Sequence, residues 1–373
     1  MHVYDYVQVR KSSLVEYVEE DFIVFGGGIT ERNFSREPPR SHWGLDRLDQ
    51  KLLPLDNLFK QPCGLTGKGV DVYVMDSGIR YTHEQFDGRV KYPGCDPYDD
   101  IENGENKGRD CNGHGTQVAG IVGGKTVGVA PDVNLYSVRV LGCQLMGTMT
   151  SIVAGIECIV THHNRTRRPA VINASVFGMK SQTMKSAVKK ALEMGIHFVT
   201  IAGNGKSYQP NSACSNSPAN VKQALTVGAT TISDHVYRQS NIGPCVDLFA
   251  PGEAITSPGY LRDYQMESSS GTSFAGPFVA GAVALILQKC PNMTTEAMHR
   301  IIRRELTTLN TVNFTTFLNP PESSADTAVN ATSGNWTQDL VANTRTKLLY
   351  LGGMCKSKGR TRFKLRIRRH CSP

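Results

Sequence analysis

Residues 268 to 288 read SSSGTSFAGPFVAGAVALILQ, and from Phe278 to Leu287 nothing polar interrupts the run. A helix at the protein surface keeps a polar face, so one that is apolar on most sides has to be enclosed by the rest of the chain. The run is shorter than the roughly 20 apolar residues a membrane crossing takes, so a core helix of a sizeable protein is expected and no membrane span. Its mouth is polar, with Ser273 at the start and Pro277 expected in the first turn or so. A proline costs little there, because the first four amides of a helix have no internal partner. Those amides also give that end a positive character that favours developing negative charge. Ser273 is therefore a candidate nucleophile; the plainer reading is a serine capping a core helix.

Upstream of this helix, strand-like and helix-like stretches alternate. GVDVYVMD, NLYSVRVL, AVINASV, HFVTIAGNG, ALTVGAT and VDLFAPG read as strands, and TSIVAGIECIVTHH and MKSAVKKALEMG as helices. Strands separated by helices of 10–15 residues imply βαβ units and a mostly parallel sheet covered on both faces. The functional residues of such sheets gather beyond the carboxyl ends of the strands. Asp76 ends the first strand, Asn204 follows FVTIAG, and His114 stands where a glycine-rich turn leads into a helix. Taken singly, each has an ordinary role in a turn or on the surface. Together they complete one chemistry. A serine hydroxyl needs a positioned base, an imidazole suits that task near neutral pH, and a carboxylate fixes the imidazole's tautomer. An amide then serves the oxyanion.

The words around these residues carry a resemblance. VYVMDSGI, NGHGTQVAG, AGN and GTSFAGPFVAG resemble the Asp, His, oxyanion-Asn and Ser motifs of subtilisin-like serine peptidases, in that family's order. SHWGLDRLDQ, DCNGHGT, VGVAPDVNLYSVRVL and NTRTKLLYLG are similar to the proteinase K branch, and the likeness runs over about residues 41 to 352. It implies a three-layer α/β/α fold around a mostly parallel central sheet. It also implies a serine endopeptidase with Asp76, His114 and Ser273 catalytic and Asn204 in the oxyanion hole. Polypeptides are then the substrates, and the chemistry requires no cofactor. The two edges that take substrate as an added strand correspond to Leu145, Met146 and Gly147, and to Ser175, Val176, Phe177 and Gly178. Relatives keep smaller residues at Leu145, Met146 and Phe177, so the cleft is expected to be narrowed or to prefer particular side chains. Gln117 also departs from the family's usual His. These departures leave a second expectation, a catalytically weak member of the fold that acts by binding.

LVEYVEEDFIVF, residues 14 to 25, resembles the last strand of the family's inhibitory propeptide. Residues 1–35 are then a remnant of that segment, 36–352 the peptidase domain and 353–373 a basic tail, with the propeptide as an intramolecular inhibitor. The resemblance further implies disulfides Cys111–Cys143 and Cys214–Cys245. It implies structural calcium at Asp247 with backbone carbonyls near Lys222 and Ala224.

Ten cysteines without C-x-x-C pairs, and seven N-x-[ST] sequons at Asn33, Asn164, Asn173, Asn292, Asn313, Asn330 and Asn335, favour a secreted glycoprotein. The opening MHVYDYVQVR has no apolar signal core, so the N-terminus is expected to be incomplete. The net charge of +8 is matched by the eight Lys and Arg of the segment from Cys355 to Pro373, which leaves the remainder neutral. A nucleic-acid partner is not expected, and a monomer is. The tail's RTRFKLRIRRH alternates basic and apolar residues, a strand period with one cationic face suited to heparin-like surfaces.

Overall fold

The structure is a computed structural model, and it describes residues 15–27, 29–35, 42–93, 96–97, 107–207, 210–309, 311–315, 334–352, 354–357 and 363–365. Most of the basic tail lies outside them; its strand Phe363–Leu365 pairs antiparallel with Cys355–Ser357.

The alternation in the sequence becomes a sheet of nine strands. Its parallel centre comprises β3 (Asp71–Asp76), β5 (Asn134–Arg139), β7 (Ala170–Ala174), β9 (His197–Ile201), β11 (Leu225–Thr230) and β12 (Leu248–Pro251). Short strands extend it, β4 (Val90–Lys91) at one edge and β16 (Leu348–Leu349) with antiparallel β15 (Thr307–Thr308) at the other. Successive side chains of a strand face opposite ways, and β3 shows the result. Val72 and Val74 enter one buried cluster, Tyr73 and Met75 the other. Helices α3 (Met149–Thr166) and α4 (Gln182–Glu193) cover the Tyr73 side. The Val72 side is covered by α1 (Trp43–Asp49), α2 (His114–Gly123), α5 (Thr272–Lys289) and α6 (Thr295–Arg304). The layers are helix, sheet, helix, as expected.

The apolar run forms α5, and every residue from Thr272 to Leu287 is buried. Among the described residues α5 alone is long and apolar enough to cross a membrane; here it is enclosed by protein. Pro277 is placed differently from the expectation. It is the sixth residue of α5, beyond the four free amides, so it removes a helical donor to the carbonyl of Ser273. The hydroxyl of Ser175 donates to that carbonyl instead, at 3.0 Å.

AVINASV also divides in two. β7 stops at Ala174, and β8 (Val176–Met179) leaves the central sheet for a second, four-stranded one. Its other members are β1 (Ile23–Gly26), β6 (Met146–Thr148) and β10 (Asn216–Ser217). β13 (Ile255–Pro258), β14 (Met266–Ser270) and β2 (Ile29–Ser35) make a third, antiparallel sheet.

The disulfides Cys111–Cys143 and Cys214–Cys245 are both formed. Asn173 is buried in β7 and donates to Ser175 Oγ, so its sequon is closed to modification. Asn164, Asn292 and Asn313 are exposed, while Asn330 and the side chains of Asn33 and Asn335 lie outside the description.

Candidate active site

Three strand ends and two helix starts meet at one rim of the central sheet. Asp76 is the last residue of β3 and His114 the first of α2. Asp76 Oδ1 accepts from His114 Nδ1 at 2.7 Å and from the Ser77 amide at 2.7 Å, and both side chains are buried. The ring's other nitrogen, Nε2, is buried without a hydrogen-bond partner, as is Asp76 Oδ2. With Nδ1 held by the carboxylate, Nε2 is the nitrogen left to take a proton. Phe274 flanks the ring edge to face, centroids 5.4 Å apart.

The approach to His114 is shaped by a residue that the motifs did not single out. Asp110, half-buried at the start of DCNGHGT, accepts from Ser77 Oγ and from the amides of Asn112, Gly113 and Thr116, each at 2.9 Å. An acid two to three residues before a tight turn is the Asx pattern that could have revealed it.

Ser273 is the second residue of α5 and is fully buried. Its hydroxyl donates to the carbonyl of Ser175 at 3.4 Å rather than to the imidazole. Asn204 follows β9, and its Oδ1 accepts from the amide and hydroxyl of Thr272 at 3.1 and 3.0 Å. That orients the side chain and leaves Nδ2 as its free donor.

The cleft between the two expected edges is filled by the chain's own N-terminal segment. β1 lies antiparallel to both β6 and β8, pairing Val24 with Gly147, and Phe25 with Met146 on one side and Phe177 on the other. The Gly26 amide donates to Leu145 O at 3.1 Å and the Gly27 amide to Ser175 O at 3.3 Å. The Ser273 amide donates to the carbonyl of Gly27 at 2.9 Å. A Cβ built on Gly27 stands 3.0 Å from Ser273 Oγ and 3.5 Å from Asn204 Nδ2. A peptide carbonyl thus rests beside a hydroxyl, a backbone N–H and a side-chain amide, the groups that acyl transfer uses.

Upstream, the segment is held by carboxylates. Glu19 accepts from the amides of Gln182 and Thr183 at the start of α4 and from the hydroxyls of Ser181 and Thr183. Asp21 accepts from the Thr150 amide at the start of α3. Negative charge is favoured at both helix ends. Burial pushes each carboxyl up, but the hydrogen bonds outweigh it, and both pKa values fall below their ordinary 4.5 and 3.8.

The model of the subtilase family matches residues 67–335. The chain belongs to the subtilase family. This subtilase is 43% identical to the extracellular serine proteinase of Thermus sp. (strain Rt41A) over 77% of its own length and 65% of that protein's. It is 39% identical to alkaline serine exoprotease A of Vibrio alginolyticus over 79% of its own length and 52% of that protein's. The subtilase therefore spans about half to two thirds of these relatives. The crystal structure of a cold adapted subtilisin-like serine proteinase superposes with a TM-score of 0.69 at 38% identity, covering 83% of this chain and 98% of that one.

The residues around Asp247 do not fit the calcium that the resemblance implied. Its Oδ1 accepts from Arg303 at 2.6 Å and Arg345 at 2.9 Å, and its Oδ2 from the Thr226 amide at 3.0 Å. Arg303 also donates to the Lys222 carbonyl at 3.4 Å, one of the expected calcium partners. A guanidinium thus bridges the carboxylate and carbonyl that a dication was expected to join.

Proposed function

We propose that the protein is a secreted serine endopeptidase whose cleft is held by an inhibitory N-terminal segment. The observation that carries this reading is the 2.9 Å hydrogen bond from the Ser273 amide to the Gly27 carbonyl, made by a strand paired on both sides as a substrate would be. His114 Nε2 takes the proton of Ser273 Oγ as that oxygen attacks the peptide carbonyl, and Asp76 stabilises the imidazolium. The Ser273 amide and Asn204 Nδ2 hold the oxyanion. His114 then protonates the leaving amine, and water, deprotonated by the same imidazole, releases the acyl group and regenerates Ser273. In this reading residues 1–35 are the tail of a propeptide, 36–352 the peptidase and 353–373 a basic extension. The bond after Gly27, inside the propeptide-like segment, is the one that the enzyme cleaves in itself, so residues 28–35 stay with the peptidase, where β2 pairs with β14. A relative named an extracellular serine proteinase supports both the activity and the secretion.

One observation favours the second reading, a binding protein. The Ser273 hydroxyl faces Ser175 O, so the nucleophile and base are not hydrogen-bonded while the segment is seated. Labelling with a fluorophosphonate after acid release of the segment separates the two. The peptidase reading expects a covalent adduct mapped to Ser273 and lost in Ser273→Ala. Correctly folded protein that takes up no label establishes the binder.

A further inference from the structure

We infer that the cleft selects polypeptides with glycine at both residues preceding the cleaved bond, and that Leu145 and Ile201 impose this. The inference rests on the peptidase reading and names its substrate class. Neither Gly26 nor Gly27 has a positive φ, so their backbone is open to any L residue. What bars side chains is space. A Cβ on Gly26 falls 2.6 Å from Leu145 Cγ and 2.7 Å from its Cδ1; a Cβ on Gly27 falls 2.6 Å from Ile201 Cδ1. Ile201 has little room to retreat, and the backbone that carries Leu145 is fixed. Leu145 sits at φ +59° in the turn closed by its own amide on Gly142 O, two residues from the Cys111–Cys143 disulfide. Ile201 is fully buried, and its Cγ2 lies against Gly276 of α5, 3.0 Å from where a Cβ there would stand. Ahead of the two glycines the cleft is apolar. Val24 is enclosed against Gly178, and Phe25 packs on Phe177 with ring centroids 6.2 Å apart.

The substrates expected are therefore glycine-rich segments preceded by apolar residues. One methyl group in a tight pocket discriminates by roughly 10–200-fold, and each position is expected to show that preference for glycine over alanine in kcat/KM. The test uses fluorogenic peptides ending Ile-Val-Phe-Gly-Gly, with Ala replacing either or both glycines, on the full chain after acid release of its segment. Leu145→Gly, which suits the positive φ, is expected to remove the preference at the penultimate position only, and Ile201→Ala at the last position only. In the intact chain, Gly26→Ala is expected to slow cleavage after Gly27 and Leu145→Gly to restore it. Equal cleavage of the Ala-Ala and Gly-Gly peptides overturns the selectivity and leaves the peptidase standing. Cleavage of no peptide, with Ser273 unlabelled, overturns the peptidase reading itself.

A different observation carries a second site. On the sheet end opposite the catalytic rim, where β11 and β16 begin, a cavity of about 470 Å³ is lined by Lys222, Arg300, Arg303, Arg304, Arg345 and Lys347 together with Glu296 and His299. Asp247 engages Arg303 and Arg345, yet Lys222, Arg300 and Arg304 enter no ion pair among the described residues, and Arg303 Nε is buried without a hydrogen-bond partner. We propose that this cavity binds a sulfated polysaccharide. Arginine forks suit sulfate-like oxyanions, and the lining supplies four arginines and two lysines against one acid, Glu296. Fluorescein-labelled heparin hexasaccharide is the probe. The Lys222→Ala, Arg300→Ala, Arg304→Ala triple variant of the full chain is expected to bind it at least tenfold more weakly, with a shallower salt dependence. Unchanged binding by the triple variant overturns the site and assigns heparin affinity to the tail. Equal affinity for a single-stranded oligonucleotide of matched charge overturns the choice of polysaccharide.

Discussion

Single side chains divide the labour around Ser273. Asn204 is fixed through its Oδ1, so replacing it removes one aimed donor without emptying the core. Asn204→Ala is expected to cost about 3 kcal/mol in kcat with little change in KM; that magnitude comes from subtilisin, a member of this family. A raised KM with kcat unchanged would instead place Asn204 in ground-state binding. Ser175 is the residue that the motifs undervalued. Named from the sequence only as a substrate edge, it also supplies the hydroxyl that satisfies the Ser273 carbonyl released by Pro277. Ser175→Ala leaves that buried acceptor short of a donor and is expected to destabilise the fold by about 1–3 kcal/mol, read as a lower denaturant midpoint. Arg303 presents the opposite case, a cation replacing an expected metal. Arg303→Ala leaves the buried Asp247 carboxylate with the Thr226 amide and, as its remaining cation, the half-exposed Arg345. The expected loss is about 3 kcal/mol, the low end for a broken buried pair.

Among the elements, the N-terminal strand is the one whose attachment depends on pH. Glu19 and Asp21 have lowered pKa values while seated against α4 and α3. A carboxyl with a lower pKa when bound strengthens attachment above its unbound pKa, and that contribution disappears as pH falls through the bound value. Between pH 5 and pH 3 the segment is therefore expected to loosen. Hydrogen exchange at Val24 and Phe25 measures this directly, and Glu19→Gln should flatten the profile. The strand's place was legible in part. Two edges flanking an added strand followed from the resemblance, as did a propeptide-like word at residues 14 to 25. That this word lies between those edges, with Gly27 O on the Ser273 amide, is a matter of register. Register depends on cross-strand partners and on the Leu145 turn, neither of which has a signature in one-dimensional spacing.

Among the described residues the molecule is an α/β/α sandwich whose two larger buried clusters meet at the sheet, with α5 deep in one of them. Truncating a fully buried side chain of that helix, Leu285→Ala, is expected to lower stability by about 2–5 kcal/mol, measured as a shift in denaturant midpoint. By itself the sequence determined the strand and helix pattern, the enclosure of α5 and the residue types at the rim, because periodicity and turn chemistry are local. The family words fixed which Asp, His, Ser and Asn belong together. Tertiary structure alone decided that Arg303 stands where calcium was expected, that Ile201 and Leu145 wall the glycines, and that Ser175 completes the Pro277 gap. Each of these joins residues tens to hundreds of positions apart. Side chains brought together only by packing leave no period in the chain, and so nothing local records them.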